Sequence, residues 1–130
     1  MATKDQLTPI ILIVEDHAPT LMIVQQLVSA ACPSCRVLTA ESAEQALEQC
    51  ARHAPQIVVM DISLPGMDGI EATRRIKTLL PETRVVMHSS HDLQIYRDAA
   101  VLAGASAFVA KSRTCQNLVP SITAALTPRA

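Results

Sequence analysis

Ile10-Ile-Leu-Ile-Val14 runs straight into Glu15-Asp16, and the reading of this stretch decides the fold. A continuous β-branched apolar run is the mark of a strand buried on both faces, as in a parallel sheet covered by helices. Ile57-Val-Val-Met60, Arg84-Val-Val-Met87 and Ala107-Phe-Val-Ala110 are shorter runs of the same kind. Arg36-Val-Leu-Thr-Ala40 is less apolar and reads as an edge strand.

Helical patterns lie between these runs. Pro19 suits the first turn of a helix that turns Leu21, Val24, Leu27 and Val28 inward. Ser42 with Gln45 reads as a capping box ahead of a stripe of Ala43, Ala46, Leu47 and Cys50. Asp68 with Glu71 opens another helix, with Ile70, Thr73, Ile76 and Leu80 on one side. Asp92 is expected to cap a helix that Gly104 ends. Thr114 is expected to cap a last helix carrying Leu118, Val119, Ile122, Ala125 and Leu126. The sum is five strands alternating with five helices, which predicts a parallel sheet with helices on both faces.

Composition agrees. The chain has 130 residues, enough for one domain, and 49% of them are hydrophobic, so a dense core does not require disulfides. One Phe, one Tyr and no Trp make that core aliphatic and leave no aromatic platform for single-stranded nucleic acid. The net charge of −1 offers no basic footprint for DNA or an anionic membrane. No apolar run reaches the ~20 residues of a membrane span, and residues 1–9 lack the apolar stretch of a signal peptide. The expectation is a cytoplasmic protein: a polar extension at 1–8, one domain over 9–126 and a tail at 127–130.

In a parallel α/β sheet, ligands bind outside the carboxyl ends of the strands. Glu15 and Asp16 follow the first strand, Asp61 the third, Ser89 ends the fourth and Lys111 follows the fifth. Three carboxylates, a hydroxyl and an ammonium are thus expected on one edge. Acids so close repel unless a cation sits among them. Hard oxygen ligands with no His or Cys at metal-ligand spacing suit Mg2+, which takes a carboxylate or two plus a phosphate. Asp61 then has the chemistry of a carboxylate nucleophile that forms an acyl phosphate. Lys111 would pair with phosphoryl oxygens and Ser89 would donate to another.

On four pieces the chain resembles a bacterial response-regulator receiver domain. These are Ile11-Leu-Ile-Val-Glu-Asp-His17, Val58-Val-Met-Asp-Ile-Ser-Leu-Pro-Gly-Met-Asp-Gly69, Val85-Val-Met-His-Ser-Ser90 and Gly104-Ala-Ser-Ala-Phe-Val-Ala-Lys111. They stand in the family's order, each at a strand end. The resemblance implies a flavodoxin-like doubly wound (βα)5 sandwich with strand order 2-1-3-4-5. It implies that Asp61 is the phosphoacceptor and that Glu15, Asp16, Asp61 and the Ser63 backbone carbonyl hold Mg2+. It gives Ser89 and Lys111 the phosphoryl group and Phe108 the aromatic switch position. The phosphoryl donor would be a histidine kinase or phosphotransfer protein. Phosphorylation would alter a partner-binding or dimerisation face made of the fourth helix, fifth strand and fifth helix. Tyr96, Arg97 and Lys111 are candidates on that face. The domain would assist its own phosphorylation and dephosphorylation and would not be an enzyme toward external substrates.

The sequence departs from the family at Phe108 and Ser112. Phe108 has no hydroxyl for a switch hydrogen bond. Ser112 follows Lys111 where proline is common. Ser63 and His91 occupy positions whose side chains neighbour the phosphoryl group. Two other readings remain open. Asp68-Gly-Ile-Glu-Ala-Thr-Arg-Arg75 resembles receivers that precede a helix-turn-helix output domain, which would follow residue 130. A haloacid-dehalogenase-like phosphatase would need a second Asp two residues after the nucleophile, where this chain has Ser63. Cys32 and Cys35 form a lone CxxC after a helix, not before one, which argues against a redox role, and no two further ligands stand at a suitable spacing for zinc. Cys50 and Cys115 read as small core residues, and Met22, Met60, Met67 and Met87 as packing. His17 and His88 read as structural.

Overall fold

A computed structural model describes residues 8–126. The tail expected over 127–130, and all but the last residue of the extension expected over 1–8, lie outside the described residues. The elements are β1 (Ile10–Val14), α1 (Ala18–Ala31), β2 (Arg36–Ala40), α2 (Ala43–His53), β3 (Ile57–Met60), α3 (Gly69–Leu79), β4 (Arg84–Ser89), α4 (Gln94–Ala103) and β5 (Ala107–Ala110). A 3-10 turn (Lys111–Arg113), a π-helical turn (Thr114–Leu118) and α5 (Val119–Leu126) follow. The strands form one parallel sheet in the order β2-β1-β3-β4-β5.

Strand alternation divides the core into two layers. Leu12, Val14, Val58, Met60, Val85 and Met87 pack against α2, α3 and α4. Ile11, Ile13, Ile57, Val59, Val86 and Val109 pack against α1 and the last helix. β1 and β3 are apolar throughout because both faces are covered, and Glu15 and Asp61 follow directly at their carboxyl ends. That is why the chemistry collects at the strand ends.

Several helix starts follow the sequence. Ser42 accepts a hydrogen bond from the Gln45 N–H at 3.1 Å, and Gln45 Oε1 accepts from the Glu41 N–H at 2.9 Å instead of from the Ser42 N–H. Asp68 accepts from the Glu71 N–H at 2.9 Å. Two expected caps are corrected. Asp92 does not cap the helix: Leu93 holds the N-cap position of α4 with no side-chain cap, and Asp92 pairs with Arg97 at 2.9 Å. Thr114 donates its hydroxyl proton to the Lys111 carbonyl at 2.8 Å and sits inside an irregular segment, not at the start of an α-helix. The π turn also shifts the helical phase, so Cys115 is exposed where regular spacing put it inside. Met22 is likewise exposed and not packing, while Met60 and Met87 are buried.

Cys32 and Cys35 are joined by a disulfide, with their Cα atoms 5.3 Å apart. The Cys35 N–H donates to the Cys32 carbonyl at 3.0 Å, so a turn after α1 folds the two thiols together.

Gly69 is required by close approach. A Cβ there would lie 1.9 Å from the Asp61 carbonyl oxygen and 2.7 Å from its carbon. The first residue of α3 is therefore pressed against the backbone that carries Asp61, and its N–H donates to the Ile62 carbonyl at 2.8 Å. Gly69→Ala is expected to lower stability by about 3 kcal/mol, read by thermal melting. A second expectation concerns the cysteines. Without reductant, iodoacetamide should label Cys115 on the native chain and leave Cys32 and Cys35 untouched. Reduction should open both and cost about 2 kcal/mol of stability, since so short a loop gains little from closure.

Candidate functional site

The sheet itself brings the acids together. The Glu15 N–H donates to the Ala40 carbonyl at 3.0 Å, and the Asp61 N–H donates to the Val14 carbonyl at 3.1 Å. Each bond continues the parallel ladder one residue past a strand, so the two side chains emerge side by side. Glu15 is 2% exposed and Asp61 3%, while Asp16 is exposed. One oxygen from each of the three lies within 4.8 Å of the others. At that spacing two unit charges repel by about 3 kcal/mol in an effective dielectric of ~20. Something positive has to offset this.

Lys111 does so in part. From the end of β5 its ammonium reaches Glu15 Oε1 at 2.8 Å and Asp61 Oδ2 at 3.1 Å. One cation between two buried anions leaves a deficit, and the pKa values show where it falls. Burial pushes Asp61 up to about 6, helped by the charge of Glu15, with Lys111 opposing. Burial, the largest single influence, would raise Glu15 too, but the bonds to Lys111, Asp61 and the His17 N–H and the Lys111 charge together outweigh it, and the net direction is down. Burial works against the Lys111 charge, and Glu15 and Asp61 together overcome it and raise its pKa. Lys111 was also a candidate for the exposed signalling face; the structure turns its ammonium into the acid cluster instead.

The residues fit a hard divalent cation. Glu15 Oε1 is buried and has no polar partner beyond its ion pair with the Lys111 ammonium, which it shares with Asp61. A buried oxygen left this way is costly without a further cation. Glu15, Asp16 and Asp61 supply carboxylate oxygens only, the donor set for Mg2+.

The remaining predicted residues surround this cluster. Ser89 is fully buried, and its Oγ accepts from the His91 N–H at 3.0 Å, which leaves its own proton free to donate elsewhere. Ser63 is exposed, and its N–H donates to Asp61 Oδ1 at 3.3 Å, so the loop after β3 wraps the carboxylate. Its Oγ lies 2.5 Å from His91 Nε2, and the His91 ring is 5.0 Å from that of Tyr96. Phe108 is half-buried and outside the acid cluster, with the Arg97 guanidinium 4.6 Å above its ring.

Two residues near the site were missed. His88 was read only as structural, yet its Nε2 lies 2.7 Å from Thr114 Oγ1, directly behind Lys111. Burial, and then the charge of Lys111, push its pKa down to about 4, so the ring is neutral. An ionisable residue inside the apolar run Val85-Val-Met-His88 was the available signal. Thr114 was misread because helix spacing does not foresee a π turn.

A family model described as the response regulator receiver domain matches residues 11–123. The transcriptional activator protein ExaE of Pseudomonas putida is 37% identical over 103 residues, 78% of this chain and 48% of that protein. The chemotaxis protein CheY of Bacillus subtilis is 36% identical over 86 residues, 66% of this chain and 72% of that protein. A two-component response regulator of the LuxR family from Aurantimonas sp. SI85-9A1 superposes with a TM-score of 0.84 at 35% identity. That superposition covers 90% of this chain and 84% of that one. The chain spans about half the length of several of the curated relatives it matches.

The raised pKa of Asp61 has a measurable sign. Between the ordinary value of 3.8 and about 6, the folded metal-free chain holds a proton on Asp61 that the unfolded chain has lost. Its contribution to stability therefore falls as pH rises through that window. Metal-free Asp61→Asn should gain stability relative to the native sequence from pH 4 to above 6. With Mg2+ present the native sequence should gain and the variant should not. Thermal melting across pH, with and without Mg2+, checks both.

Proposed function

The chain belongs to the response regulator receiver domain family, and from that premise we propose that it is a phosphorylation-dependent signalling switch whose acceptor is Asp61. The observation that carries this reading is the Lys111 ammonium lying against both Asp61 and Glu15 at the edge of the sheet. A side chain in that position meets a phosphoryl group added to Asp61 without moving its backbone. In the proposed reaction an Asp61 oxygen attacks phosphorus as the bond from phosphorus to a histidine nitrogen of a kinase or phosphotransfer partner breaks. The histidine keeps the departing electron pair, and Asp61 becomes an acyl phosphate.

Glu15, Asp16, Asp61 and the Ser63 carbonyl would hold Mg2+, which lowers the charge barrier between two anions. Lys111 then exchanges its contact with the carboxylates for one with the phosphoryl oxygens. The Ser89 proton is available for another of those oxygens. Ser89 cannot turn toward phosphate without giving up its bond to the His91 N–H. Phe108 would follow into the space this opens, leaving the Arg97 guanidinium. Because Phe108 lacks a hydroxyl, packing alone drives that step.

The output face in this reading is α4, β5 and α5. Its support is exposed apolar surface: Leu93, Ile95, Val101 and Leu102 are each more than two-thirds exposed. Such residues suit a homodimer or a protein partner and not a nucleic acid. Among the described residues no helix is long and apolar enough to cross a membrane. A cytoplasmic setting is part of the proposal, as is the absence of turnover of any external substrate. A second reading follows from relatives named as transcriptional regulators: this chain is the receiver half of a longer DNA-binding protein. The length of the native reading frame distinguishes the two.

Incubation with acetyl phosphate and Mg2+, followed by intact mass, should show the gain of one phosphoryl group. Asp61→Asn should abolish the gain, and Lys111→Met should slow it by about a hundredfold. A gain that survives in Asp61→Asn would place the acceptor elsewhere and sink the reading.

A further inference from the structure

His88 and Ser89 are neighbours on β4, so their side chains leave opposite faces of the sheet. Ser89 serves the acid cluster. His88 is 2% exposed, on the side covered by α1 and the last helix, and takes no part in the chemistry proposed above. Its contacts nevertheless lead back to the site. His88 Nε2 is 2.7 Å from Thr114 Oγ1, and that hydroxyl donates to the Lys111 carbonyl at 2.8 Å.

The direction of this chain is determined. A carbonyl only accepts, so the single hydroxyl proton of Thr114 goes to Lys111. The hydroxyl must then accept from His88, whose Nε2 carries the ring proton. The Lys111 carbonyl also accepts from the Thr114 N–H, so Thr114 grips it twice.

The segment held this way has little intrinsic order. Lys111 opens a 3-10 turn that passes directly into a π-helical turn, both poor in hydrogen-bond geometry. Ser112 stands where a proline would stiffen the chain, and no described peptide bond is cis. The ammonium of Lys111 must still cross to Asp61 and Glu15 on a flexible four-carbon stem. A small shift of its backbone carries straight through to the contact with phosphate.

We propose that His88 is a positioning residue for phosphoryl transfer: through Thr114 it fixes the backbone of Lys111 to β4, so that the Lys111 ammonium and the Ser89 hydroxyl move as one unit. This rests on the reading of Asp61 as the phosphoacceptor.

The test compares His88→Leu, which removes the donor, with His88→Gln, which keeps an N–H near the same place. Thr114→Val and Thr114→Ser are the matching pair at the second link. Phosphorylation by acetyl phosphate at saturating Mg2+ gives the rate, calorimetric titration the Mg2+ affinity, and melting the fold. His88→Leu and Thr114→Val should each slow phosphorylation by about tenfold, because misplacement by a fraction of an ångström is costly in group transfer. Their combination should be no slower than the worse single variant by more than about twofold, since both break one chain of contacts. His88→Gln and Thr114→Ser should recover most of the rate. Mg2+ affinity should not fall in any of them, because no carboxylate is disturbed. Thr114→Val alters one half-buried hydroxyl, so its result stands even if His88→Leu fails to fold. A native rate in Thr114→Val, or Mg2+ affinity falling in step with rate, overturns the inference while leaving Asp61 as acceptor. Absence of phosphorylation in the unaltered chain overturns the Asp61 reading and this inference with it.

Discussion

Two buried carboxylates facing one ammonium are the constraint on which the rest of this structure depends. Glu15 and Asp61 are almost wholly removed from water, and Lys111 alone among the described cations pairs with both. Such an arrangement is poor as a device for stability, because desolvation costs more than one shared cation returns. In the proposed reading the grouping persists because a metal ion completes it, and that ion's charge also offsets the negative charge of the incoming phosphoryl group. The upward displacement of Asp61 toward 6 expresses the same deficit as a proton affinity.

The fold around the cluster is organised to hold this unfavourable grouping still. The ladder bonds of Glu15 and Asp61 extend the rigid sheet into the site. Gly69 lets α3 press against the Asp61 backbone, and the Asp68 cap fixes where that helix starts. Ser63 and His91 close over the carboxylate from two different loops. Lys111 is the exception, since it arrives from irregular backbone, and there the chain of contacts through Thr114 to His88 takes the place of regular structure.

The route from this cluster to the surface is short. Ser89 touches the loop that leads into α4, and Arg97 on α4 lies over Phe108 on β5. The exposed pair of Arg97 with Asp92 contributes little by itself, as surface ion pairs do. Its effect is to hold the guanidinium over the ring. In the proposed reading, drawing Ser89 inward would compete with weak contacts and not with the core, which suits a two-state switch.

The sequence by itself determined the strands, their class and the edge where the acids meet. Ile10–Val14 and Ile57–Met60 are apolar because both faces are covered, and a run of that kind carries its own boundary at the first charged residue. Asp61, Glu15, Ser89 and Lys111 were legible for the same reason: each stands where such a run ends. Tertiary structure alone decided what depends on distance between segments. Asp92 satisfies every local rule for a cap but pairs with Arg97 instead. Cys115 follows an apolar stripe until a π turn rotates it outward. Cys32 and Cys35 are bonded because a turn folds them together, which spacing alone does not tell. His88 acquires its partner 26 residues away on a different element. Periodicity records which face a residue occupies, and it holds no information about which side chain from another part of the chain will stand opposite.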